Sequence, residues 1–266
     1  MNKKFFAIAL SAILTLTLSA CGGKKESAVV LNVAASSTPH AVILEQVVDD
    51  LAEQGIDLQI HEYGDYIVPN TAVEEGEEDA NYFQHLPYLE SFNANEGTHL
   101  VSVGGVHVEP MGVYAGKTAT LEELADGAVI AVPNDPTNEG RALLLESLGL
   151  IKLQDSSNLE ATPNDIAENP KNLIFKELEA AMIPNTVEEV DLSVINENYA
   201  LEAGFNPAAD ALAIESADSP YVNIVAVREG SEDSPEIQAL VKALQSEEIS
   251  KFIIESFDGA VVPVNG

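Results

Sequence analysis

From residue 29 to the C-terminus, short apolar runs alternate along the chain with segments of helical periodicity. Residues 29–34 and 128–132 are almost continuously apolar, as in strands that are buried on both faces. Residues 39–54 instead place apolar side chains at helical spacing and are followed by Gly55, a common helix stop. This alternation predicts an α/β fold with mostly parallel sheets.

The rest of the chain continues the pattern. Further strands are predicted at residues 57–63, 100–103, 106–114, 192–195 and 223–227. A Leu-rich face predicts a helix at 140–150, and Ser234 followed by Pro235 predicts the start of a long closing helix at 234–257. A chain of 266 residues is long enough for one large domain or two small ones, each with its own core.

The charge balance excludes two classes of partner. The chain has 44 acidic and 12 basic residues, a formal net charge of −32. Such a chain repels phosphate backbones, so no nucleic-acid partner is expected. It also repels anionic lipid headgroups, which argues against a membrane contact made by charge.

The N-terminus has the pattern of an export signal. Lys3 and Lys4 precede an apolar stretch at 5–18, which is too short to span a membrane as a mature helix. Small residues then lead to Cys21, the only cysteine in the chain, and this arrangement resembles the lipobox of bacterial lipoproteins. The resemblance implies a signal peptide at 1–20, lipidation of Cys21 and a flexible tether at 21–27. The alternative is an ordinary signal peptide with a chance cysteine.

No motif in the sequence predicts catalysis or a cofactor. Walker A, dinucleotide-binding, nucleophile-elbow and zinc-protease patterns are all absent from the sequence. Their absence does not exclude an enzyme but argues against one, and we expect a protein that is not an enzyme and has no cofactor. A single cysteine excludes an intrachain disulfide and a cysteine-based zinc site. The five histidines are far apart in sequence, and a metal site would require them to converge in the fold.

Aromatic residues are concentrated before the middle of the chain. Residues 63–88 contain five of the 15 aromatic side chains. Phe83, His85 and Tyr88 are predicted to follow a helix-like turn that Pro87 breaks. Two interpretations remain open: the aromatic residues pack in the core, or they line a slot for an apolar ligand group.

The second notable segment is the polar turn that precedes the helix predicted at 140–150. Its capping residues predict a helix start near Thr137 or Asn138, which places Arg141 in the first turn. A cation there is unfavourable unless an anion lies beside it. That anion is either Glu139 or Asp135, or it is a ligand carboxylate, which arginine binds in a bidentate manner.

Several segments together resemble the methionine-binding lipoproteins of the NlpA/MetQ type, which are substrate-binding components of methionine ABC importers. The resemblance runs from about Val29 to the C-terminus. Its longest segment is 133–143, and the others are 38–41, 43–47, 65–66, 69–72, 83–85, 87–89, 106–112, 168–173 and 194–196.

The resemblance implies a two-lobed type II periplasmic-binding-protein fold with a ligand cleft between the lobes. Lobe one is expected at 28–110 plus 228–266, and lobe two at 111–227. The chain would cross between the lobes first near Pro110 and Met111, and return at 223–228.

The resemblance also implies a ligand site and a partner. Tyr66, Phe83, His85 and Tyr88 match the aromatic side of the family's pocket, Arg141 and Asn138 its carboxylate side, and Asn196 the residue that holds the α-amino and carboxylate groups. Glu197 departs from the family, which usually has a small residue there, and Met182 and Asn185 stand where Gln and Arg are common. The partners would be methionine, L or D, and a membrane permease, with the protein anchored by lipid on the extracytoplasmic side of the cell membrane.

Three other functions are alternatives. A metal-binding import lipoprotein would use His40, His61, His85 or His107 with carboxylates. A hydrolase would need a nucleophile motif that the sequence does not contain. A surface interaction protein that keeps the binding fold would have a degraded pocket, whereas the residues that match the family's pocket are all present.

Overall fold

The computed structural model describes residues 28–216 and 219–264. The predicted signal peptide, Cys21 and the tether at 21–27 lie outside the described residues. Within them, the strands of the first half are β1 (Val29–Ala35), β2 (Ile56–Glu62), β3 (Ala80–His85) and β4 (Leu100–Val108). The middle of the chain forms β5 (Gly112–Ala115), β6 (Val129–Pro133), β7 (Lys152–Leu153), β8 (Ile166–Glu168), β9 (Ile174–Leu178), β10 (Leu192–Ile195) and β11 (Ala211–Ile214). The last strands are β12 (Val222–Arg228) and β13 (Val262–Pro263).

These strands form two main sheets, one in each lobe. The first sheet has the order β13-β4-β12-β3-β1-β2, and the second has the order β11-β5-β10-β6-β9. Strands β7 and β8 form a separate small pair. A buried apolar cluster lies beneath each main sheet, so each lobe has its own core.

Both sheets are mixed, which corrects the prediction of mostly parallel sheets. β1 pairs in parallel with β2 and β3, and β6 pairs in parallel with β9 and β10. The strands next to the crossings between lobes pair antiparallel: β12 with β3 and β4, and β5 with β10 and β11. β12, with which the chain returns to the first sheet, therefore runs opposite to its neighbours β3 and β4.

The return crossing also differs from the prediction. β11 lies in the second sheet and ends at Ile214, whereas β12 lies in the first sheet and begins at Val222. Residues 222–227 therefore belong to lobe one, and the expected boundary at 227/228 is wrong. The strand itself was predicted, but which sheet it joins depends on pairing with β3 and β4, which no local pattern records. The first crossing lies between β4, which ends at Val108 in the first sheet, and β5, which begins at Gly112 in the second.

The helices are shorter than the periodicity predicts. The described helices are α1 (Val42–Glu45), α2 (Val48–Glu53), α3 (Val68–Glu75), α4 (Leu86–Glu96), α5 (Pro136–Ala142), α6 (Glu197–Glu202), α7 (Pro207–Asp210), α8 (Pro235–Leu244) and α9 (Glu247–Ser256). The helix predicted at 39–54 is broken at Gln46 and Val47. The closing helix is broken at Gln245 and Ser246, because the Ser246 side chain accepts the Ile249 N–H and starts a new helix.

Other elements also differ from the prediction. The helix predicted at 140–150 begins earlier, as α5, and continues only as a 3₁₀ turn at Leu143–Glu146. β3 was not predicted as a strand at all, although it lies between β1 and β12 in the first sheet. Within the described ranges, no helix is both long and apolar enough to cross a membrane.

Candidate functional site

A cavity of about 330 Å³ lies between the two lobes. Lobe one contributes residues from β3, α4 and the ends of β4 and β12, and lobe two contributes residues from α5 and from the segment after β10. All seven residues predicted to form a ligand site line this cavity, namely Tyr66, Phe83, His85, Tyr88, Asn138, Arg141 and Asn196.

The apolar side of the cavity is an aromatic cluster. The ring of Tyr66 lies 6.0 Å from that of Phe83, 6.0 Å from that of Tyr88 and 5.1 Å from that of Tyr199. Phe83 and His85 are on β3, where residues two apart share a face, and Tyr88 is in the first turn of α4. The predicted helix-like turn is therefore wrong for Phe83 and His85, although the three side chains do converge.

Hydrogen bonds fix the two tyrosines of this cluster. Tyr88 donates its hydroxyl to the Tyr66 carbonyl oxygen at 2.9 Å, and Tyr66 donates its own to Asn198 Oδ1 at 2.6 Å. The second bond joins lobe one to lobe two. Burial raises the pKa of both phenols, so both stay neutral and act as donors.

His85 links the aromatic side to the polar side. Its Nδ1 atom accepts the Tyr88 N–H at 3.1 Å and thereby caps α4. Its Nε2 atom lies 3.3 Å from Asn138 Oδ1. Burial, and then the nearby Arg141, lower the pKa of His85 to about 3. The imidazole is therefore neutral, with Nδ1 as acceptor and Nε2–H as donor.

The two asparagines on the polar side are oriented by their neighbours. Asp135 caps α5 and accepts the Asn138 backbone N–H at 3.2 Å and its side-chain Nδ2–H at 2.8 Å. Asn138 Oδ1 accepts from Asn196 Nδ2 at 2.9 Å. These bonds leave Asn196 Oδ1 buried without a hydrogen-bond partner.

Arg141 occupies a different place in its helix from the one predicted. α5 begins at Pro136, one residue after its cap, so Arg141 is in the last turn. A cation is favourable there, and the argument from the helix dipole is wrong. The ion-pair partner is Glu215, whose Oε2 lies 2.7 Å from Nη2 and 2.8 Å from Nε, in place of the Glu139 or Asp135 considered from the sequence.

Two more contacts hold the guanidinium group of Arg141. Nη2 also donates to the backbone oxygen of Glu109, which links the lobes at the cavity. The guanidinium carbon lies 4.7 Å from the centre of the Tyr221 ring, within the range of a cation–π contact. Arg141 is therefore a buried cation with a fixed position in the cavity wall.

A second charged group, Glu109, reaches the cavity with two histidines behind it. Glu109 Oε1 lies 2.7 Å from His107 Nε2 and 3.0 Å from His40 Nε2. Burial alone would raise the pKa of Glu109, but the two imidazoles more than offset it and hold the pKa far below its usual range. Because an ionised carboxylate only accepts hydrogen bonds, both Nε2 atoms carry the proton and donate.

This cluster also bears on the metal-binding alternative. Of the four histidines considered, His40 and His107 converge with Glu109 in a donor set that could hold a metal ion. Their Nδ1 atoms face the hydroxyls of Ser36 at 2.6 Å and Tyr82 at 2.5 Å, which fix the two rings. Hydrogen bonds thus account for each ring nitrogen without a metal. His85 lies on the cavity, and His61 bonds Glu78 instead.

Five cavity residues were not predicted as part of the site. They are Gln84, Glu109, Glu197, Asn198 and Asn223. The sequence marks Glu197 only as a departure from the family. The signal that would have found Glu197 and Asn198 is their position directly after the buried strand β10, because loops at strand ends converge on the clefts of α/β folds.

Comparisons with known proteins give a consistent result. The family model described as NlpA lipoprotein matches residues 31–265. The chain is 42% identical to the methionine-binding lipoprotein MetQ of Bacillus subtilis, in a match that covers 99% of this chain and 99% of that protein.

Solved structures agree with the sequence match. A lipoprotein of Ruminococcus gnavus is 54% identical with a TM-score of 0.87, and the match covers 89% of this chain and 99% of that one. A nutrient-binding protein of Burkholderia cenocepacia, solved bound to methionine, is 44% identical with a TM-score of 0.83, and the match covers 88% of this chain and 99% of that one. These likenesses confirm the predicted two-lobed binding-protein fold.

Proposed function

The chain belongs to the NlpA lipoprotein family, and we propose from this that it is a lipid-anchored substrate-binding protein that captures methionine for an ABC importer. The observation that carries the proposal is the cavity between the lobes. It combines an aromatic cluster at one side with a buried arginine and two oriented asparagines at the other. A small amino acid with an apolar side chain has the matching distribution of polar and apolar groups.

In this proposal the aromatic cluster holds the methionine side chain. Tyr66, Phe83 and Tyr88 surround the thioether, for which sulfur–aromatic contacts contribute about 0.3–1.5 kcal/mol each. His85 supports this wall, because its ring caps the helix that carries Tyr88. The slot has no place for a charged side chain, since a buried and unpaired carboxylate is strongly unfavourable.

The polar side holds the α-carboxylate. Arg141 offers the cation, and Asn138 and Asn196 offer amide groups whose orientation the hydrogen-bond network fixes. The pair between Arg141 and Glu215 keeps the guanidinium in place before ligand arrives. The protein then acts by binding and release, with no catalytic step, and hands its ligand to a membrane permease.

Anchoring through Cys21 would keep the protein on the extracytoplasmic side of the cell membrane. A lipid anchor suits this protein because a body with so many acidic groups is repelled by anionic lipids. Loss of Lys3 and Lys4 with the signal peptide changes the charge from −32 to −32 − 2 = −34. The same charge is unsuited to a nucleic-acid partner.

Titration calorimetry on the mature lipoprotein in detergent, freed of co-purified ligand, tests the proposal. We expect L-methionine or D-methionine to bind, and alanine and glutamate to bind far more weakly. Each buried methylene contributes about 0.8 kcal/mol, and glutamate would bury an unpaired charge. Glutamate binding as tightly as methionine would contradict the assignment. Mass spectrometry of the co-purified ligand gives an independent identification.

A metal-binding lipoprotein is the second candidate, and the convergence of His40, His107 and Glu109 is the observation in its favour. Elemental analysis of the purified protein separates the two functions. A stoichiometric transition metal that is lost in His107→Gln would support metal transport. A metal-free protein with bound methionine would support the first proposal.

A further inference from the structure

Unpaired polar atoms are concentrated in three consecutive residues of the cavity wall. Asn196 Oδ1, both carboxyl oxygens of Glu197 and Asn198 Nδ2 are buried without a hydrogen-bond partner. All three residues line the cavity, and Glu197 is only 1% exposed. Buried polar atoms in native proteins are nearly always paired, so a group of four at one cavity points to a ligand that pairs them.

Three of these four atoms are acceptors, and two of them belong to one carboxyl group. The ligand group that fits is therefore a donor with several N–H bonds and a positive charge. A primary ammonium group has three N–H donors and no acceptor, which matches the three acceptors, whereas the Asn198 Nδ2 donor requires an acceptor elsewhere on the ligand. Arg141 and the Asn196 amide nitrogen do not pair these acceptors, because Arg141 donates to Glu215 and the Asn196 nitrogen donates to Asn138.

We propose that Glu197 binds the amino group of the ligand, and that binding makes Glu197 release a proton to solvent. This rests on the proposed function, since it assigns the amino group of the amino-acid ligand to a residue of the same cavity. In the free protein the carboxyl group carries its proton. When the ammonium arrives, the Glu197 O–H bond breaks, the proton leaves, and the carboxylate accepts N–H bonds from an ammonium that keeps all its protons.

The electrostatics around Glu197 support the protonated free state. Burial, and then the ionised Glu109, raise the pKa of Glu197 to about 9, against the opposing effect of Arg141. In turn, Glu197 contributes to the raised pKa of Tyr114, which burial mainly causes. His85 lines the same cavity and is neutral, with a pKa lowered to about 3.

Glu139 on α5 has a pKa that burial and then the neighbouring Glu177 raise to about 8, but Glu139 does not line the cavity. Glu109 stays ionised because its pKa is lowered, and Tyr114 stays neutral because its pKa is raised. His40 lies on the segment that packs against α6, the helix that Glu197 begins, and donates to Glu109. Glu197 is thus the group in the cavity from which a proton would come.

Calorimetry at pH 7 in buffers of different ionisation enthalpy measures this proton directly. For the wild-type mature lipoprotein we expect about one proton released per methionine bound. Between pH 6 and pH 8 the dissociation constant for methionine should fall by about tenfold per pH unit, because the free energy needed to deprotonate Glu197 falls as the pH rises. Wild-type binding with no proton release would overturn the proposal and leave the proposed function intact.

The variant Glu197→Gln keeps the shape of the side chain and removes its ability to release a proton and become charged. We expect it to fold with an unchanged or higher Tm, to release no proton, and to bind methionine roughly 30-fold or more weakly. Glu202→Gln is the matched control, because Glu202 is on the same helix but is exposed and outside the cavity. It should release the same proton as wild type.

A ligand analogue gives a third readout. The analogue of methionine in which hydrogen replaces the amino group should bind wild type much more weakly than methionine does. Glu197→Gln should lose most of that discrimination. If both proteins discriminate equally, Glu197 does not bind the amino group. If wild type binds no form of methionine, the proposed function itself fails.

Discussion

At the scale of single residues, the cavity brings one permanent cation together with side chains that burial keeps neutral. Arg141 is held by Glu215, by the Glu109 carbonyl and by the Tyr221 ring. His85 is neutral because burial and the same arginine lower its pKa. The arginine can therefore attract a ligand carboxylate without a competing cation on the imidazole.

The first prediction concerns Arg141. Replacing it with alanine should weaken methionine binding by roughly 30- to 3,000-fold, since removing one partner of a buried charge pair costs about 2–5 kcal/mol. Arg141→Lys should recover only part, because an ammonium lacks the planar fork. Calorimetry and a ligand-free melting curve on the same variant give the two quantities.

Glu215→Gln is the control for this prediction. It keeps an acceptor beside Arg141 and removes only the ion-pair charge, so we expect a dissociation constant within about threefold of wild type. If Arg141→Ala lowers Tm but binds methionine within the same range, Arg141 has a structural role alone.

The second prediction concerns pH and His85. A buried histidine with a pKa of about 3, against about 6.5 when unfolded, stabilises the fold above pH 6.5, and this contribution is lost as the pH falls towards 3. Between pH 7 and pH 5 the expected loss is about 2 kcal/mol. Over the same interval His85→Asn should lose about 2 kcal/mol less stability than wild type does, because asparagine can cap α4 and does not titrate.

Urea unfolding of both proteins at the two pH values gives the comparison. Other groups titrate in both proteins, so their effects cancel in the difference between the two losses. An equal loss in wild type and His85→Asn would show that His85 does not carry this dependence.

At the scale of secondary structure, α5 positions the polar side of the cavity through a close approach of backbones. A Cβ at Gly140 would lie 2.2 Å from the Leu159 oxygen and 2.9 Å from the Ala161 nitrogen. Only glycine lets the helix approach this segment so closely. The same helix carries Asn138 and Arg141, so its position sets where the ligand carboxylate can bind.

The third prediction follows from this contact. Gly140→Ala should push α5 away from residues 159–161 and weaken methionine binding by tenfold or more, although Gly140 does not line the cavity. A small displacement of binding groups is enough for an effect of about this size. Gly64→Ala is the control, because a Cβ there meets nothing within 4 Å. Calorimetry should find the control unchanged, and equal affinities for all three proteins would refute the positioning role of α5.

At the scale of the whole molecule, contacts across the cleft join two lobes that have separate cores. Tyr66 bonds Asn198, and Arg141 bonds the Glu109 carbonyl. Both pairs lie at the cavity, so the lobes meet where the ligand is proposed to bind. The proposed attachment of this acidic body to the membrane is the lipid on Cys21.

The fourth prediction tests this attachment. Cys21→Ser should abolish acylation, because the lipid is attached through the cysteine sulfur. Wild type should partition into a detergent phase, and the variant should remain unprocessed or appear in the aqueous phase. Mass spectrometry of the N-terminal peptide identifies the acyl groups. Wild-type protein that is fully aqueous and without acyl groups would contradict the lipobox interpretation.

The sequence by itself determined the α/β class and most of the strands. β1, β2, β6 and β10 are apolar or alternating runs whose character depends on local composition, so their prediction needed no tertiary information. The sequence also contains the segments that resemble the family, and these carried all seven predicted site residues. Periodicity was less successful with helices, because it does not show where a side chain such as Ser246 caps a new helix.

Tertiary structure decided the pairing of strands and the partners of charged groups. β12 joins the first sheet because it fits between β3 and β4, which are more than a hundred residues earlier in the chain. Arg141 pairs with Glu215, and His40 with Glu109, over separations of 74 and 69 residues. Local sequence records what a residue can do, but hydrogen bonds and ion pairs depend on distances in space, and only the folded chain sets those.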